Sequence, residues 1–403
     1  MKLFFLLPRV PYPTEKGDKL RAFHQITHLA KHHEIIICAL NEGVLHEDAV
    51  PVLSKYASAV HIIPISKATI FSNIVRALFT GKPLQVGYYY NISTRNIIHG
   101  LIDKYKPDHI FCQLIRMADY VTDLPIPKTL DYQDVFSKGV ERRLASSSFF
   151  LRPFLKLEYQ RMLDSERMAF DRFDNKIIIS YPDRELIPHP DREKIVVVAN
   201  GVDTTFFHPM ERSKEYDLVF TGNMSYPPNV HSCEFLVNKI LPLVLEKKPA
   251  LKVLIAGANP TMRVQVLRSA QVEVSGWVPD MREAYAQAKI FIAPMQLGTG
   301  LQNKLLEAMA MKVACITSPL ANQALNAKPG EEILVGETPK EYANHIINLL
   351  NNEKLASTIA ERGYQFVVKN YSWEAETAKI NELISGNEVF FTPKSPEGDL
   401  LPL

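Results

Sequence analysis

The sequence predicts an α/β protein made of two doubly wound domains. Three observations predict it. The chain has 403 residues, too many for one ordinary core. Short apolar runs bounded by Gly, Pro or Asn recur along it, with amphipathic helical stretches between most of them. That is the pattern of parallel strands covered on both faces. The runs also fall into two sets, one per half, with no sequence repeat relating them.

In chain order, the first set is LFFLLP, EIIICAL, VHIIPI, HIFCQL, KTLDYQD and KIIISY. The second is DLVFTGN, KVLIAGANP, VEVSGWVPD, IFIAPM, VACITSP and EILVGE. Between the sets, residues 187–209 gather prolines and charges, and the domain boundary is expected there. The expected division is 1–195 for the first domain, rejoined by a C-terminal helix near 372–386, and 196–371 for the second. Residues 137–172 read as helical and highly charged, without strands. Residues 387–403 hold Pro and Gly with little periodicity and are expected to be a loose tail.

Composition narrows the function. Hydrophobic residues make up 46% and charged residues 22%, ordinary globular values. A net charge of +2 gives no general case for nucleic-acid or membrane binding, so any anion preference must be local, and no nucleic-acid partner is expected. The start, MKLFFLLPRVPYP, is too short in apolar residues for a secretory signal and reads as the first strand. No apolar run approaches the 18 or so residues of a membrane span. Cys38, Cys112, Cys233 and Cys315 are far apart in apolar contexts and read as reduced, buried thiols of a cytoplasmic protein.

Ligands of open parallel sheets bind beyond the carboxyl ends of the strands. In the second half those ends carry Gly222-Asn223, Gly257-Ala258-Asn259, Gly276-Trp277-Val278, and Pro294 leading to Gly298-Thr299-Gly300. Glycine at four consecutive ends favours a ligand approaching the backbone over mere turns. In GTGLQNKLLEAMAM (298–311), a helix is expected to start near Leu301, with free N–H groups suited to phosphate. Lys304 would add a charge, and Glu307, on the same face, could accept two hydrogen bonds from a ribose diol. The bland alternative is an exposed Lys304–Glu307 pair on a capped helix.

These residues also carry a family likeness. NGVDTTFFHP, LVFTGNMSYPPN, SGWVPDMREAYAQA and above all GTGLQNKLLEAMAMKVACITSP resemble the glycosyltransferase family 4 (group 1) enzymes, with PRVPYPTEKGDKLRAFHQITHLAKHHEI similar to their N-terminal glycine-loop region. The likeness covers roughly residues 1–385. It is strongest to bacterial sugar transferases of exosortase and exopolysaccharide loci, through LDYQDVFSK at 130–138. It implies the GT-B fold, two Rossmann-like domains facing each other across a cleft, and a retaining transfer from a nucleotide-diphosphate sugar to a hydroxyl. It also implies that the acceptor hydroxyl is assisted by the departing phosphate, with no protein nucleophile.

Carried over residue by residue, the likeness gives Glu307 the ribose-binding position of the E-x7-E signature. Gly300, Leu301 and Gln302 match its phosphate-contacting turn. Gly17 matches the loop glycine near the donor phosphates, and Gly276 to Val278 the segment holding the base. Two departures stand out. Thr299 replaces the first signature glutamate, which usually contacts the donor sugar. Asn223 and Pro228 stand where an arginine and a lysine are usual. Lys304 and Arg21 are the expected replacements, with Arg282 a weaker candidate. Lys304, Glu307 and Arg21 are therefore the expected catalytic set, with Gly222, Asn223, Gly257 and Thr299 among the donor-binding positions.

In the first domain, GDKLRAFHQITHLAK sets Gly17, Arg21, His24 and His28 on one helical face, expected to point Gly17 and Arg21 at the cleft. His24, His28 and His32 have metal-ligand spacing, but a solvated polar face is the preferred account. No D-x-D is present, so no metal and no cofactor beyond the nucleotide sugar are expected. Arg116, Asp131 and Asp134 follow strand runs and either face an acceptor or serve as ordinary caps. Asp134 falls where the family often has a His-Asp pair, with Gln133 in the histidine's place. The expected acceptor is a carbohydrate or lipid-linked saccharide. FLRPFLKLEYQRMLDSERMAF (150–170) mixes Phe and Leu with Arg and Lys. Packing on the first domain is its preferred reading, and peripheral contact with the cytoplasmic membrane face or a lipid-linked acceptor the alternative. Other GT-B activities, a nucleotide-sugar epimerase or a phosphorylase, remain rivals, as does a non-catalytic nucleotide-binding partner of a polysaccharide complex. A nicotinamide-dependent oxidoreductase is disfavoured because RVPYPTEKGD, not G-x-G-x-x-G, follows the first strand.

Overall fold

The computed structural model describes residues 1–297 and 300–386. Gly298, Thr299 and the tail from 387 to 403 lie outside the described residues. Each of the twelve apolar runs forms a strand. In the first half these are β1 (Lys2–Leu7), β2 (Glu34–Asn41), β3 (Ala59–Pro64), β4 (His109–Gln113), β5 (Lys128–Asp131) and β6 (Asn175–Ile178). A seventh, β7 (Val196–Val197), lies inside the expected boundary segment, in the apolar run IVVVA that the surrounding prolines and charges obscured. The second half gives β8 (Tyr216–Thr221), β9 (Val253–Ala256), β10 (Val272–Gly276), β11 (Ala288–Ala293), β12 (Ala314–Thr317) and β13 (Leu334–Val335).

The strands form two separate, wholly parallel sheets, ordered β3-β2-β1-β4-β5-β6-β7 and β10-β9-β8-β11-β12-β13. In both, the first strand sits centrally and the order reverses beside it, between β1 and β4 and between β8 and β11. This is the doubly wound arrangement, and each reversal opens a crevice at the carboxyl ends.

Leu3 to Leu7 are all fully buried because β1 is covered on both faces. Phe4 and Leu6 pack into one cluster, Leu3, Phe5 and Leu7 into the other, as the two-residue strand period requires. Ile380 and Ile384 of the Trp373–Ile384 helix belong to the second of these clusters, so the C-terminal helix packs on the first sheet. The chain passes between the sheets twice, side by side. Val202 N–H donates to the Tyr371 carbonyl at 2.8 Å and Val202 bridges Ser372. A Cβ on Gly201 would lie 2.4 Å from Trp373 N, so only glycine allows this approach.

Residues 137–172 become two helices, Phe136–Ser146 and Arg152–Arg172. The second buries Glu158, Met162, Glu166, Ala169 and Phe170 against the first domain, while Phe154 and Leu157 near its start remain exposed. Packing therefore accounts for only one face of the 150–170 segment.

Candidate active site

Three segments meet at the reversal of the second sheet. β8 ends at Thr221 and runs into Gly222 and Asn223. β11 leads through Gly300, Leu301 and Gln302 into the Asn303–Ala310 helix. The Pro227–Phe235 helix, begun by its prolines Pro227 and Pro228, brings Asn229 in from its first turn. The 303–310 helix starts two residues later than expected: Gln302 is still extended at its N-cap, without a side-chain cap, and donates its amide to the Gly300 carbonyl (2.9 Å).

Lys304 is buried. Its Nζ lies 2.5 Å from Asn229 Oδ1 and 4.6 Å from the centroid of the Phe220 ring. A Cβ on Gly222 would come within 3.1 Å of that nitrogen. Burial lowers the ammonium to about 8. Asn229 donates in turn to the Asn223 carbonyl at 2.9 Å. The Asn223 side chain is turned onto its own loop, accepting from Ser225 N–H and Oγ at 3.0 and 2.8 Å.

One turn further, Tyr285 donates its hydroxyl to Glu307 Oε2 at 2.7 Å, and Thr221 Oγ1 lies 2.8 Å from that hydroxyl. Burial raises the Glu307 carboxyl, while the Tyr285 bond and the Lys304 charge pull it back. The surface-pair alternative is thereby overturned: Lys304 is held by Asn229 and Glu307 by Tyr285.

The glycine argument needs a correction at one position. A Cβ on Gly257, at φ +146°, would lie 1.7 Å from the Gly222 carbonyl oxygen. Gly257 is required by the neighbouring loop, not by a ligand. Its N–H donates to the Gly276 carbonyl at 2.9 Å, so the three loops brace one another. Beyond Gly276, Trp277 is exposed and Val278 half-buried. Arg282 is folded onto Asp280 at 2.7 Å and over the Phe206 ring, away from Lys304's partners.

The first-domain wall differs more from expectation. Arg21 does not point into the cleft. It is fully buried and grips Asp131, Nε to Oδ2 at 2.7 Å and Nη2 to Oδ1 at 3.2 Å. Asp131 is equally buried and also accepts from Gln25 Nε2 at 3.0 Å, so it is not open to an acceptor. The reason is packing: Arg21 lies on the face of the Gly17–Leu29 helix that carries Ala22, Gln25, Ile26 and Leu29 onto the sheet. Arg21 Nη1 also donates to Asn200 Oδ1 at 2.9 Å, and Asn200 Nδ2 to Asn303 Oδ1 at 3.0 Å. One chain of bonds thus joins β5, the linker and the start of the Lys304 helix.

The histidines are not a simple solvated face either. His24 stacks on Trp373, with 4.6 Å between centroids, and burial pushes it down to about 4. No group of three or more His, Cys, Asp or Glu among the described residues is arranged to hold a metal ion.

Gly17 begins its helix with open space around it; a Cβ there would meet nothing within 4 Å. Asp134 is open to solvent yet crowded, and this raises its carboxyl; Arg142 and Arg116 act against the rise. Burial, and after it the charge of Asp134, raise the Tyr226 hydroxyl of the second domain, while Arg142 acts against the rise. Arg116 follows β4 at the reversal of the first sheet. It donates to Gln85 Oε1 at 3.2 Å and lies over Phe136, and its Nε is buried without a partner. Leu114, just past β4, and Gln133, two residues past β5, have φ of 63° and 58°, a conformation that costs non-glycine residues energy and clusters at functional sites.

Sequence reasoning missed Asn229, Tyr285, Asn200 and Asn303. Only Asn229 carried a signal, as a polar residue just after Pro227-Pro228 at a helix start. A groove of about 610 Å3 lined by Arg268, Val272 and Glu273 runs along edge strand β10 by the amino ends of β8 and β9, remote from Lys304.

The same second-domain segment carries a family match. Residues 215–352, which hold Asn229, Tyr285, Lys304 and Glu307, match the family described as Glycosyl transferases group 1. The second domain is a group 1 glycosyltransferase domain. The fold agrees. Sucrose-phosphate synthase from Thermosynechococcus elongatus superposes with a TM-score of 0.72 at 14% identity, covering 96% of this chain and 99% of that one. HepE from Anabaena, in complex with UDP and glucose, gives 0.68 at 12% identity, with 95% and 99% covered. The protein is thus a glycosyltransferase with the GT-B fold. An uncharacterized 44.6 kDa protein in the cps region of Klebsiella pneumoniae is 21% identical over 398 residues, 92% of this chain and 96% of that protein. No helix among the described residues is long and apolar enough to cross a membrane.

Proposed function

We propose that this glycosyltransferase moves a sugar, with retention, from a nucleoside-diphosphate sugar to a hydroxyl of a carbohydrate or lipid-linked saccharide in surface-polysaccharide assembly. The observation that carries the proposal is the placement of Lys304 and Glu307. Both stand at the start of one helix beside the reversal of the second sheet, each positioned by its own partner. The N–H groups of the helix start and the Lys304 charge suit a leaving diphosphate. Glu307, steadied by Tyr285, suits a ribose diol. UDP is the first nucleotide to test, since HepE is seen with UDP, and the cps-region relative supports the polysaccharide setting. The proposed division remains 1–195 with 372–386 for the acceptor domain and 196–371 for the donor domain.

Arg21 leaves the phosphate role and becomes a support for the Asn200–Asn303 link. Arg116, with Gly17 nearby in sequence to the first strand's end, takes the first-domain cation's place, and Asp134 faces the acceptor. Because no D-x-D is present, transfer is expected to continue in excess EDTA; loss of activity restored by Mg2+ would contradict it. The absence of cations at Asn223 and Pro228 favours one second reading, a nucleotide-binding partner without turnover.

Titration calorimetry with UDP and GDP, followed by a transfer assay with the matching sugar nucleotides, tests the proposal. Glu307→Ala should weaken nucleotide binding at least tenfold, from charge-assisted bonds of about 1.5–3 kcal/mol each. Equal binding by the variant removes the ribose role. Binding without any transfer or hydrolysis selects the second reading.

A further inference from the structure

Two neighbouring parts of the first domain turn phenylalanines outward. The Lys67–Thr80 helix buries Asn73 and Ala77 but leaves Phe71 71% and Phe79 85% exposed, on one stripe with Leu78. The turn before the Arg152–Arg172 helix does the same with Phe149 at 78% and Phe150 at 89%, continued by Phe154. The two parts are in contact. Arg161 Nη2 reaches the Leu78 carbonyl at 3.4 Å, and the Glu158 carboxylate accepts from Leu84 N–H at 2.8 and 3.0 Å. Single exposed apolar residues are ordinary, but bare aromatics gathered on two parts that touch mark a surface with a partner.

Charge identifies the partner. Over the whole chain, 46 Lys and Arg nearly balance 44 Asp and Glu. Residues 66–87 depart from this, with Lys67, Arg76 and Lys82 and no acid. Residues 142–161 hold five Lys and Arg and one acid, Glu158, which is buried on Leu84 N–H. The face therefore offers aromatic rings amid cations; of these Lys82 is held by Asp119, and the bordering acid Glu141 is occupied by Lys138 and Tyr159. An anionic phospholipid bilayer matches both features at once: phosphates for the cations, the acyl boundary for the rings. The apolar stripes are too short to span it and suit shallow insertion.

We propose that this face docks the enzyme on an anionic bilayer. The position is useful for the reaction. Just past the Lys67–Thr80 helix, Gln85 accepts the hydrogen bond of Arg116, which stands at the reversal of the first sheet. Docking would set that side of the cleft beside the lipid headgroups, where a lipid-linked acceptor would arrive.

Cosedimentation of the full chain with phosphatidylcholine vesicles, with and without phosphatidylglycerol, tests the proposal and needs no donor or acceptor. Binding should require phosphatidylglycerol and weaken steeply as salt is raised. Arg152→Glu with Lys156→Glu should lower the partition coefficient about tenfold or more, at about 1 kcal/mol per cation. Phe79→Ser with Phe150→Ser should lower it at matched salt. All four sites are exposed, and unchanged melting with and without UDP would show that fold and donor site are intact. No binding, or equal binding to neutral vesicles, overturns the proposal. A dimer seen by light scattering and lost in the phenylalanine variant would also overturn it, assigning the face to a second copy of the chain. Because vesicle binding is read without turnover, its failure leaves the sugar-transfer reading standing, and the reverse.

Discussion

The two walls of the cleft use charge in opposite ways. On the second-domain wall, Lys304 and Glu307 each have one neutral partner, Asn229 and Tyr285, so both retain capacity for a ligand. On the first-domain wall, Arg21 and Asp131 consume each other and are sealed from water. The difference teaches that a charged residue near a strand end is not thereby a site residue. What matters is whether its partner leaves its charge unmatched. A neutral partner positions a charge; an opposite charge cancels it.

The largest expected effect tests the sealed pair. Arg21→Met leaves Asp131 buried without its counter-ion and should cost about 3–5 kcal/mol of stability in a urea melt. A midpoint within error of the parent would mean that the pair is not structural. The open pair should respond in turnover instead. Lys304→Met should reduce kcat by roughly 10–150-fold, the worth of a charged hydrogen bond of about 1.5–3 kcal/mol, while the fold survives. If both variants lose stability and neither loses rate selectively, the contrast between the walls fails.

A pH profile sharpens the same contrast. The lowered Lys304 ammonium is charged below about 8 and neutral above it. If Lys304 supplies the charge for the donor, kcat/KM should fall up to tenfold per unit as pH rises past that value, and Lys304→Met should remove the break. A break that persists in the variant belongs to another group. The smallest effect concerns the link between the walls. Asn303→Leu removes one neutral hydrogen bond, worth about 1 kcal/mol, and should raise KM for donor or acceptor with little change in melting. Asn303→Asp retains the acceptor oxygen for Asn200 and should restore it; a variant that behaves as leucine does would deny the link a positioning role.

How much of this was legible depended on the distance over which information is written. The strands were legible because each is a continuous apolar run; β7 was missed although IVVVA (195–199) is such a run, because the prolines and charges on either side of it read as a boundary. The Lys304–Glu307 pair was legible because three residues of helix fix which side they share. Arg21 and Asp131 were misread because their meeting spans 110 positions, and nothing local in GDKLRAFHQ or KTLDYQD tells a buried charge from an open one. Tyr285 left no trace, since an aromatic on a helix reads as core. Gly257 looked like a ligand glycine because the sequence shows the missing side chain but not the neighbouring carbonyl that forbids it.

The paired passages at Val202 and Tyr371 bear on how such enzymes diversify. The chain enters and leaves the second half at hydrogen-bonded neighbours, 2.8 Å apart. Everything between is topologically an insert in a host made of β1 to β7 and the Trp373–Ile384 helix. Inserts whose two ends coincide can be exchanged as cassettes without stretching the host. A lineage could thus keep one second-domain module and graft it onto new hosts, or replace it whole, and only the Asn200–Asn303 contact and the facing loops would need to be fitted again.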